Sequence, residues 1–174
     1  NNIVSINVSC THTHSGIDLQ GVWANTVENV LNNIFLSNLG LTSLKSGVDR
    51  TFLNKVIDST VKSIKDAYAD MTPGTLTLAK KNIAEDYLKD RTAPYSFDEN
   101  LYRLEFTPDN AKETPTMITT FGVHPENSGY SHEVISADFI PYTEEVLNAA
   151  GYNFIFIQGA VGTYTESQGA SNDG

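Results

Sequence analysis

The sequence predicts an α/β fold in which a mixed, mainly parallel sheet carries helices on both faces, giving three layers. Short apolar runs rich in β-branched residues alternate along the chain with longer segments whose apolar residues recur every three or four positions. Strands joined by helices tend to run parallel, and strongly apolar strands need cover on both faces. With 174 residues the chain can bury a core, and we expect a single domain over residues 1–174.

The first predicted element is a strand at residues 3–8, where isoleucine and valine dominate. The run breaks up into Thr-His-Thr-His-Ser-Gly and ends at Gly16. Residues two apart on a strand share a face, so His12 and His14 would point into one cavity if the extended geometry persists. Cys10 is the single cysteine, and its place in the apolar run predicts a buried structural thiol.

Two helices are predicted next. Apolar spacing indicates a helix over residues 22–35 that ends near Gly40. A clearer amphipathic stripe at 53–68 predicts a second helix, with Asp49 as its N-cap and Pro-Gly at 73–74 as its stop. We expect the stripe of this second helix to be part of the core.

The rest of the chain is predicted to hold four strands and one helix. The strands are expected at 75–79, 102–106, 117–123 and 153–158, with a turn at 108–111 and a helix from Asp138 to Gly151. The stretch from Lys81 to Glu99 has no period, and we expect it to include a loop over the site.

Histidines follow two separate apolar runs, at the carboxyl ends where α/β sheets build their sites. His12 and His14 follow the first run, and His124 follows the strand predicted at 117–123. Neutral imidazole is a good ligand for divalent transition metals, so these residues predict a metal site. A His-x-His pair alone is a structural or surface feature as often as it is a pair of metal ligands. His132 lies in a polar loop and is expected to be solvated.

Four blocks carry a resemblance to a known family: Thr-His-Thr-His-Ser-Gly at 11–16, Phe-Gly-Val-His-Pro at 121–125, Ile-Ser-Ala-Asp-Phe at 135–139 and Phe-Ile-Gln-Gly-Ala-Val-Gly at 156–162. In order and approximate spacing they resemble the amino-terminal catalytic domain of the neutral/alkaline, non-lysosomal ceramidases and their bacterial relatives. The resemblance implies that the chain is the main part of a longer catalytic domain, truncated at both ends, whose remaining zinc ligands lie beyond Gly174.

The resemblance also implies roles for single residues. His12 and His124 match the family's zinc ligands, and His14 matches a histidine that lies beside the metal and contacts the reacting group. Arg91 matches an arginine that faces the family's site; the alternative is a solvated loop cation. Zn²⁺ is the implied cofactor, and a small-molecule or lipid-like amide is the implied substrate.

One departure from the family affects the mechanism. Gly159 stands where ceramidases carry a serine tied to amide hydrolysis, and Thr163 stands where they carry an aspartate. Glycine has no side chain to act as a nucleophile, which argues against ceramide itself as the substrate. Gly159 and Gly162 would let backbone approach the metal or substrate and offer N–H groups to an oxyanion, or they simply make a strand-to-loop turn.

The predicted function is therefore zinc-dependent hydrolysis of an amide (N-acyl) bond by metal-activated water. His14 would hydrogen-bond the attacked carbonyl oxygen or shuttle a proton, and Arg91 would offset developing charge. We expect activity from the full-length protein and none from this fragment alone. The alternatives are a non-catalytic binding module on the same fold and a metal-dependent ester or phosphoester hydrolase.

Charge and composition narrow the possible partners. The net charge is −10 and the pI is about 4.6, which argues against nucleic acid as a partner. No segment is long and apolar enough to predict a membrane span. The low lysine and arginine content weakly favours an extracellular or cell-envelope location, with the cytoplasm left open. Nothing in the sequence indicates an oligomeric state.

Overall fold

The computed structural model describes residues 3–21, 27, 31–41, 47–83, 88–90, 93–94, 98–126, 135–161 and 165–167. The chain divides into two compact units, one formed by Ile17–Met71 and the other by Asn1–Gly16 together with Thr72–Gly174. The second unit contains the sheet and all of the described histidines.

The smaller unit contains helix α1, Arg50–Ala69, preceded by a π-helical segment, Leu31–Leu36. Helix α1 confirms the second predicted helix and its cap, because a carboxylate oxygen of Asp49 accepts a hydrogen bond from the backbone N–H of Phe52 at 3.0 Å. The first predicted helix falls partly outside the described residues. Its described end is π-helical rather than α-helical, and it closes near Gly40 as expected.

The apolar stripe of α1 is not core in this unit. None of the residues in α1 is buried. Periodicity predicts which face of a helix can be buried, but it does not predict whether another element packs against that face. Leu53, Val56 and Ile64 are half-buried and the other apolar residues of the stripe are exposed. The prediction of a core stripe is therefore wrong for the described part of this unit.

The larger unit is built on a four-stranded sheet with the order β1-β3-β4-β5. Its strands are β1 Gly74–Asn82, β3 Asn100–Pro108, β4 Thr116–Phe121 and β5 Asn153–Gln158, and a separate antiparallel pair joins β2 Leu88–Asp90 to β6 Thr165–Ser167. The predicted strands at 75–79, 102–106 and 153–158 are all found, the first two longer than expected. The strand predicted at 117–123 ends earlier, at Phe121.

The prediction of a mainly parallel sheet is wrong. Strands β1 and β3 pair antiparallel, β3 and β4 pair antiparallel, and only β4 and β5 pair parallel. A short turn connects β3 to β4 and can only reverse the chain, whereas the β4-to-β5 connection is long enough to contain a helix. The sheet is therefore mixed, as predicted, but only partly parallel.

That connecting helix is α2, Ile140–Ala149, which packs against β5. It starts two residues later than predicted, because Asp138 has a left-handed backbone with φ of 59°. Gly151, with φ of 87°, follows its end as expected. Among the described elements of this unit, α2 packs on the sheet at β5, and a helical layer on both faces is not seen.

The predicted strand at residues 3–8 is not present. These residues join none of the described strands, and Val4 is 97% exposed. A β-branched run becomes a strand only when it finds a partner edge, and local propensity carries no information about that edge. Cys10 is exposed as well, so the prediction of a buried thiol is also wrong.

A cavity of about 510 Å³ lies between the sheet and α2. Its lining is mostly apolar and includes Phe121, Val123, Phe139 and Phe156. Val123 is fully buried against Phe121 and Phe139, and the rings of Phe139 and Phe156 meet edge to face with centroids 5.6 Å apart. This aromatic cluster joins α2 to the strand ends that precede the candidate site.

Replacing Phe156 with alanine is expected to lower the free energy of unfolding by about 2 kcal/mol, since it deletes a half-buried ring and its aromatic contact. Leu78→Ala is the control, because Leu78 is 75% exposed on the edge strand and should cost under about 0.5 kcal/mol. Urea denaturation of the two variants measures the difference. Equal losses would contradict the aromatic cluster as the packing centre of this unit.

Candidate metal site

Three histidines converge at one point of the larger unit. The ring centroids of His12, His14 and His124 are 5.0 to 5.4 Å apart, and the rings stand at 66° to 89° to one another. One nitrogen of each ring lies within 4.8 Å of the others, close enough to hold a metal ion. His124 is buried at 6% exposure, whereas His12 and His14 are exposed, so the cluster opens to solvent on one side.

The first two histidines come together by a turn and not by strand alternation. His12 has a left-handed backbone with φ of 63°, which bends the chain before His14. The backbone N–H of His14 then donates to the carbonyl of Pro125 at 3.3 Å, directly after His124. The two rings lie side by side, as expected, but the extended geometry predicted to bring them together is not found.

Hydrogen bonds join the same four sequence blocks that carry the family resemblance. The Thr13 hydroxyl donates to the carbonyl of Ser136 at 2.7 Å, and the N–H of Ser136 donates to the carbonyl of Ser15 at 3.0 Å. The N–H of Gly159 donates to the carbonyl of Phe121 at 3.0 Å. Segments far apart in sequence therefore meet around the histidine cluster.

Glu126 is a site residue that the sequence did not single out. Its Oε2 lies 2.9 Å from Nδ1 of His14, and its side chain is only 11% exposed. A tight turn, in which the N–H of Glu126 donates to the carbonyl of His124 at 3.0 Å, brings it back toward the cluster. The one signal in the sequence was the position of Glu126, two residues after His124. Neither helical nor strand periodicity predicts that a residue at this position lies beside His14.

The electrostatics of the cluster favour neutral imidazole at His12. Partial desolvation of the ring lowers the pKa of His12, the neighbouring His124 lowers it further, and the negative charge of Glu126 acts in the opposite direction. Metals bind the neutral form of imidazole. The ring is thus held in the form that a metal ion requires.

The geometry of the cluster fits a divalent transition metal. Nε2 of His12 and Nε2 of His14 are 3.3 Å apart. Two nitrogens about 2.0–2.1 Å from a tetrahedral ion lie roughly 3.3 Å from each other. This pair stands at that spacing, and a ring nitrogen of His124 lies within 4.8 Å of both.

The structure describes only one of the other residues that the sequence singled out near the site, Gly159. Arg91, His132, Gly162 and Thr163 lie outside the described residues. Gly159 does not offer its N–H to an oxyanion, as one interpretation proposed, because that N–H is already bonded to the carbonyl of Phe121. A Cβ on Gly159 would lie 2.8 Å from the backbone of Phe121, so the absent side chain permits close approach of two strand ends.

The fold places the chain among proteins with a ceramidase-like α/β architecture. No family model matches the sequence. One similar structure is the neutral ceramidase from Pseudomonas aeruginosa, with a TM-score of 0.57 and 20% identity over 69% of this chain and 21% of that chain. Another is a ceramidase complexed with C2, with a TM-score of 0.58 and 22% identity over 86% of this chain and 23% of that chain.

These comparisons establish similarity of fold. The chain spans less than a quarter of the length of either ceramidase. Within the described residues, no helix is long and apolar enough to cross a membrane.

Proposed function

We propose that the full-length protein is a zinc-dependent hydrolase of an amide (N-acyl) bond. The observation that carries this proposal is the meeting of His12, His14 and His124 from two distant segments, with one nitrogen of each ring within 4.8 Å of the others. Three imidazoles with mutually inclined rings form a donor set typical of transition-metal sites, and the family resemblance implies that the metal is zinc. The similarity to ceramidase structures supports the amide as the bond that is cleaved.

In this proposal His12 and His124 hold the zinc ion. A bound zinc ion supplies Lewis acidity and makes water a nucleophile near neutral pH. The residues of this chain hold the ion, orient the substrate and shield the site. His14 is available on the open side of the cluster, and Arg91, by its resemblance to a family arginine, would offset negative charge on the substrate.

Water is the proposed nucleophile because the chain lacks the alternative at the matching position. Gly159 has no side chain, and its N–H is engaged by Phe121. The proposal therefore differs from a serine-dependent mechanism, and it does not require ceramide as the substrate.

We propose a lipid-like or other apolar N-acyl amine as the substrate class. Val123 lines the apolar cavity and immediately precedes His124, so an apolar chain in the cavity would lie next to the buried side of the cluster. A role in sphingolipid metabolism and a location outside the cell or in its envelope belong to the same proposal, since they follow from the family resemblance.

A second candidate function is a non-catalytic binding module on this fold. It is favoured by Gly159 and Thr163, which stand where the family carries a serine and an aspartate. A binding module needs no metal for its fold or for its ligand. Metal dependence of hydrolysis therefore separates the two candidates, and a panel of N-acyl amines, esters and phosphoesters identifies the bond.

Metal removal is expected to abolish hydrolysis by the full-length protein, and added zinc is expected to restore it. The purified protein should contain about one zinc ion per chain by elemental analysis, given one histidine cluster of this kind. Hydrolysis of an N-acyl amine is then measured before chelation, after chelation and after zinc addition. Full activity after complete removal of metal would refute the proposal.

A further inference from the structure

We propose that the cavity between the sheet and α2 binds an alkyl carboxylate, with the alkyl chain among the aromatic side chains and the carboxylate group at the ammonium group of Lys81. This inference goes beyond the proposed function, because it rests on the cavity and on one lysine and not on the histidine cluster. The proposed substrate requires only an apolar chain in this cavity. The inference adds a negative charge to the ligand and names the residue that binds it.

The first support is the lining of the cavity. Its volume of about 510 Å³ is within the range of small-molecule sites. Seven of its ten lining residues are apolar, and four of these seven are phenylalanines. Walls of this kind favour an alkyl chain, because each methylene group that leaves water for an apolar surface strengthens binding. The lining therefore predicts a ligand that is apolar over most of its length.

The second support is Lys81, which is the charged residue in the lining of the cavity. The residue is exposed, so it belongs to the rim of the cavity and not to its floor. Lysine can lay its methylene groups along an apolar wall while its ammonium group stays in water. Within the described part of the chain, no carboxylate forms an ion pair with Lys81. The cavity therefore combines apolar walls with a positive charge at its mouth.

The third support is the contrast between Lys81 and the lysine that precedes it. Successive residues of a strand point to opposite faces of the sheet. Lys80 stands opposite Tyr102, whose hydroxyl donates to a carboxylate oxygen of Asp98 at 3.3 Å, and Lys80 interacts electrostatically with that carboxylate. Lys81 stands opposite Leu101, which lines the cavity. One lysine of β1 thus has an acidic neighbour, and the other has the apolar cavity.

A single lysine favours a carboxylate over a phosphate group as the anionic end of the ligand. Arg103 lies on the same face of the sheet, opposite Ala79, but it does not line the cavity, and its Nη2 is 3.6 Å from Oε2 of Glu105. Phosphate groups are usually held by several donors, among them arginine side chains and helix N-termini. One ammonium group matches the single charge of a carboxylate.

Protection of the sheet edge is the competing explanation for Lys81. Strand β1 lies at an edge of the sheet, and lysines on edge strands discourage pairing with other chains. That role makes no distinction between Lys80 and Lys81, and it involves no ligand. The two explanations therefore differ in what each lysine contributes to ligand binding.

Calorimetric titration of the full-length protein with octanoate, octanol and octyl phosphate tests the inference. A chelator is present throughout, because a metal ion at the histidine cluster would itself attract carboxylates. We expect saturable binding of octanoate at least about 10-fold tighter than that of octanol, with a smaller difference at high salt. Affinity should rise by about 3- to 4-fold per methylene group from hexanoate to octanoate.

Three results of this titration would overturn the inference. Equal affinity for octanoate and octanol would show that the charge of the ligand does not matter. Tighter binding of octyl phosphate would assign the rim to a different anion. Binding of octanoate only when zinc replaces the chelator would place the carboxylate at the histidine cluster, and it would leave the proposed function intact.

Substitutions test the role of Lys81 in the same assay. Lys81→Met removes the charge but keeps a long apolar side chain, and it should weaken octanoate binding by about 10-fold without changing octanol binding. Lys81→Arg keeps the charge and should retain most of the affinity. Lys80→Met is the matched control, since that lysine belongs to the opposite face of β1. Equal losses in the two methionine variants, or no loss in Lys81→Met, would contradict the assignment of Lys81.

Nuclear magnetic resonance of the unmodified full-length protein locates the bound ligand without any substitution. We expect nuclear Overhauser contacts between the methylene protons of octanoate and the ring protons of Phe121, Phe154 and Phe156, which line the cavity. The same contacts should be present in the metal-free protein. Contacts with other parts of the protein and none with these rings would overturn the inference, whatever the substitutions of Lys81 do to affinity.

Discussion

Replacing His124 with alanine is expected to remove zinc from the full-length protein and to lower kcat/KM for an N-acyl amine by at least about 1,000-fold, or about 4 kcal/mol. His124 is the buried member of the cluster, and its ring contacts both His12 and His14. Alanine has no nitrogen that can bind the metal ion. The cluster then keeps only its two exposed histidines, His12 and His14. Elemental analysis and initial rates measure both effects.

His132→Ala is the matched control for this substitution, since it removes the one histidine of the chain that is not assigned to the cluster. It should retain zinc and activity. Thermal unfolding in the presence of chelator shows whether His124→Ala has also lost packing, because the comparison then excludes the stabilisation that metal provides. A His124→Ala protein that keeps its zinc and its activity would contradict the assignment.

Replacing Gly122 with alanine is expected to destabilise the larger unit by about 3 kcal/mol or more. A Cβ at this position would lie 2.2 Å from the carbonyl oxygen of Ala160, far inside van der Waals contact. The obstruction is backbone and not a flexible side chain, so the ends of β4 and β5 must separate to admit it. Chemical denaturation measures the loss, and zinc affinity should also fall because Gly122 stands two residues before His124.

Gly151→Ala is the control for the Gly122 substitution. Gly151 has a left-handed φ of 87°, but a Cβ there would meet no atom within 4 Å. Gly151→Ala should lower the free energy of unfolding by about 1 kcal/mol, because alanine disfavours the left-handed backbone, and it should leave zinc affinity unchanged. Equal destabilisation by the two substitutions would show that backbone conformation, and not close approach of β4 and β5, makes glycine necessary at position 122.

Elements that depend on local patterns could be predicted from the sequence. The stripe and cap residue of α1 defined a helix, and the apolar run of β5 defined a strand with the bounds Asn153–Gln158. Strand direction and partner choice depend on contacts that are distant in sequence. For that reason the strand at 3–8 and the mainly parallel sheet were wrong, although each rested on a sound local preference.

The candidate site shows the same division. The sequence indicated the histidines because the chain has few of them and three follow apolar runs. The structure brings these three, His12, His14 and His124, together. The contact between Glu126 and His14 was missed because it depends on a tight turn after His124 and a left-handed residue at His12. Such backbone conformations arise from tertiary contacts, and single residue types indicate them poorly.

The amino-terminal histidine segment joins none of the described strands, and the hydrogen bonds of Thr13, His14 and Ser15 fasten it to two loops. Opening a segment held in this way costs much less free energy than unfolding the sheet beneath it. An ion bound by both this segment and His124 would act as a removable crosslink, and we expect it to raise the free energy needed to open the segment.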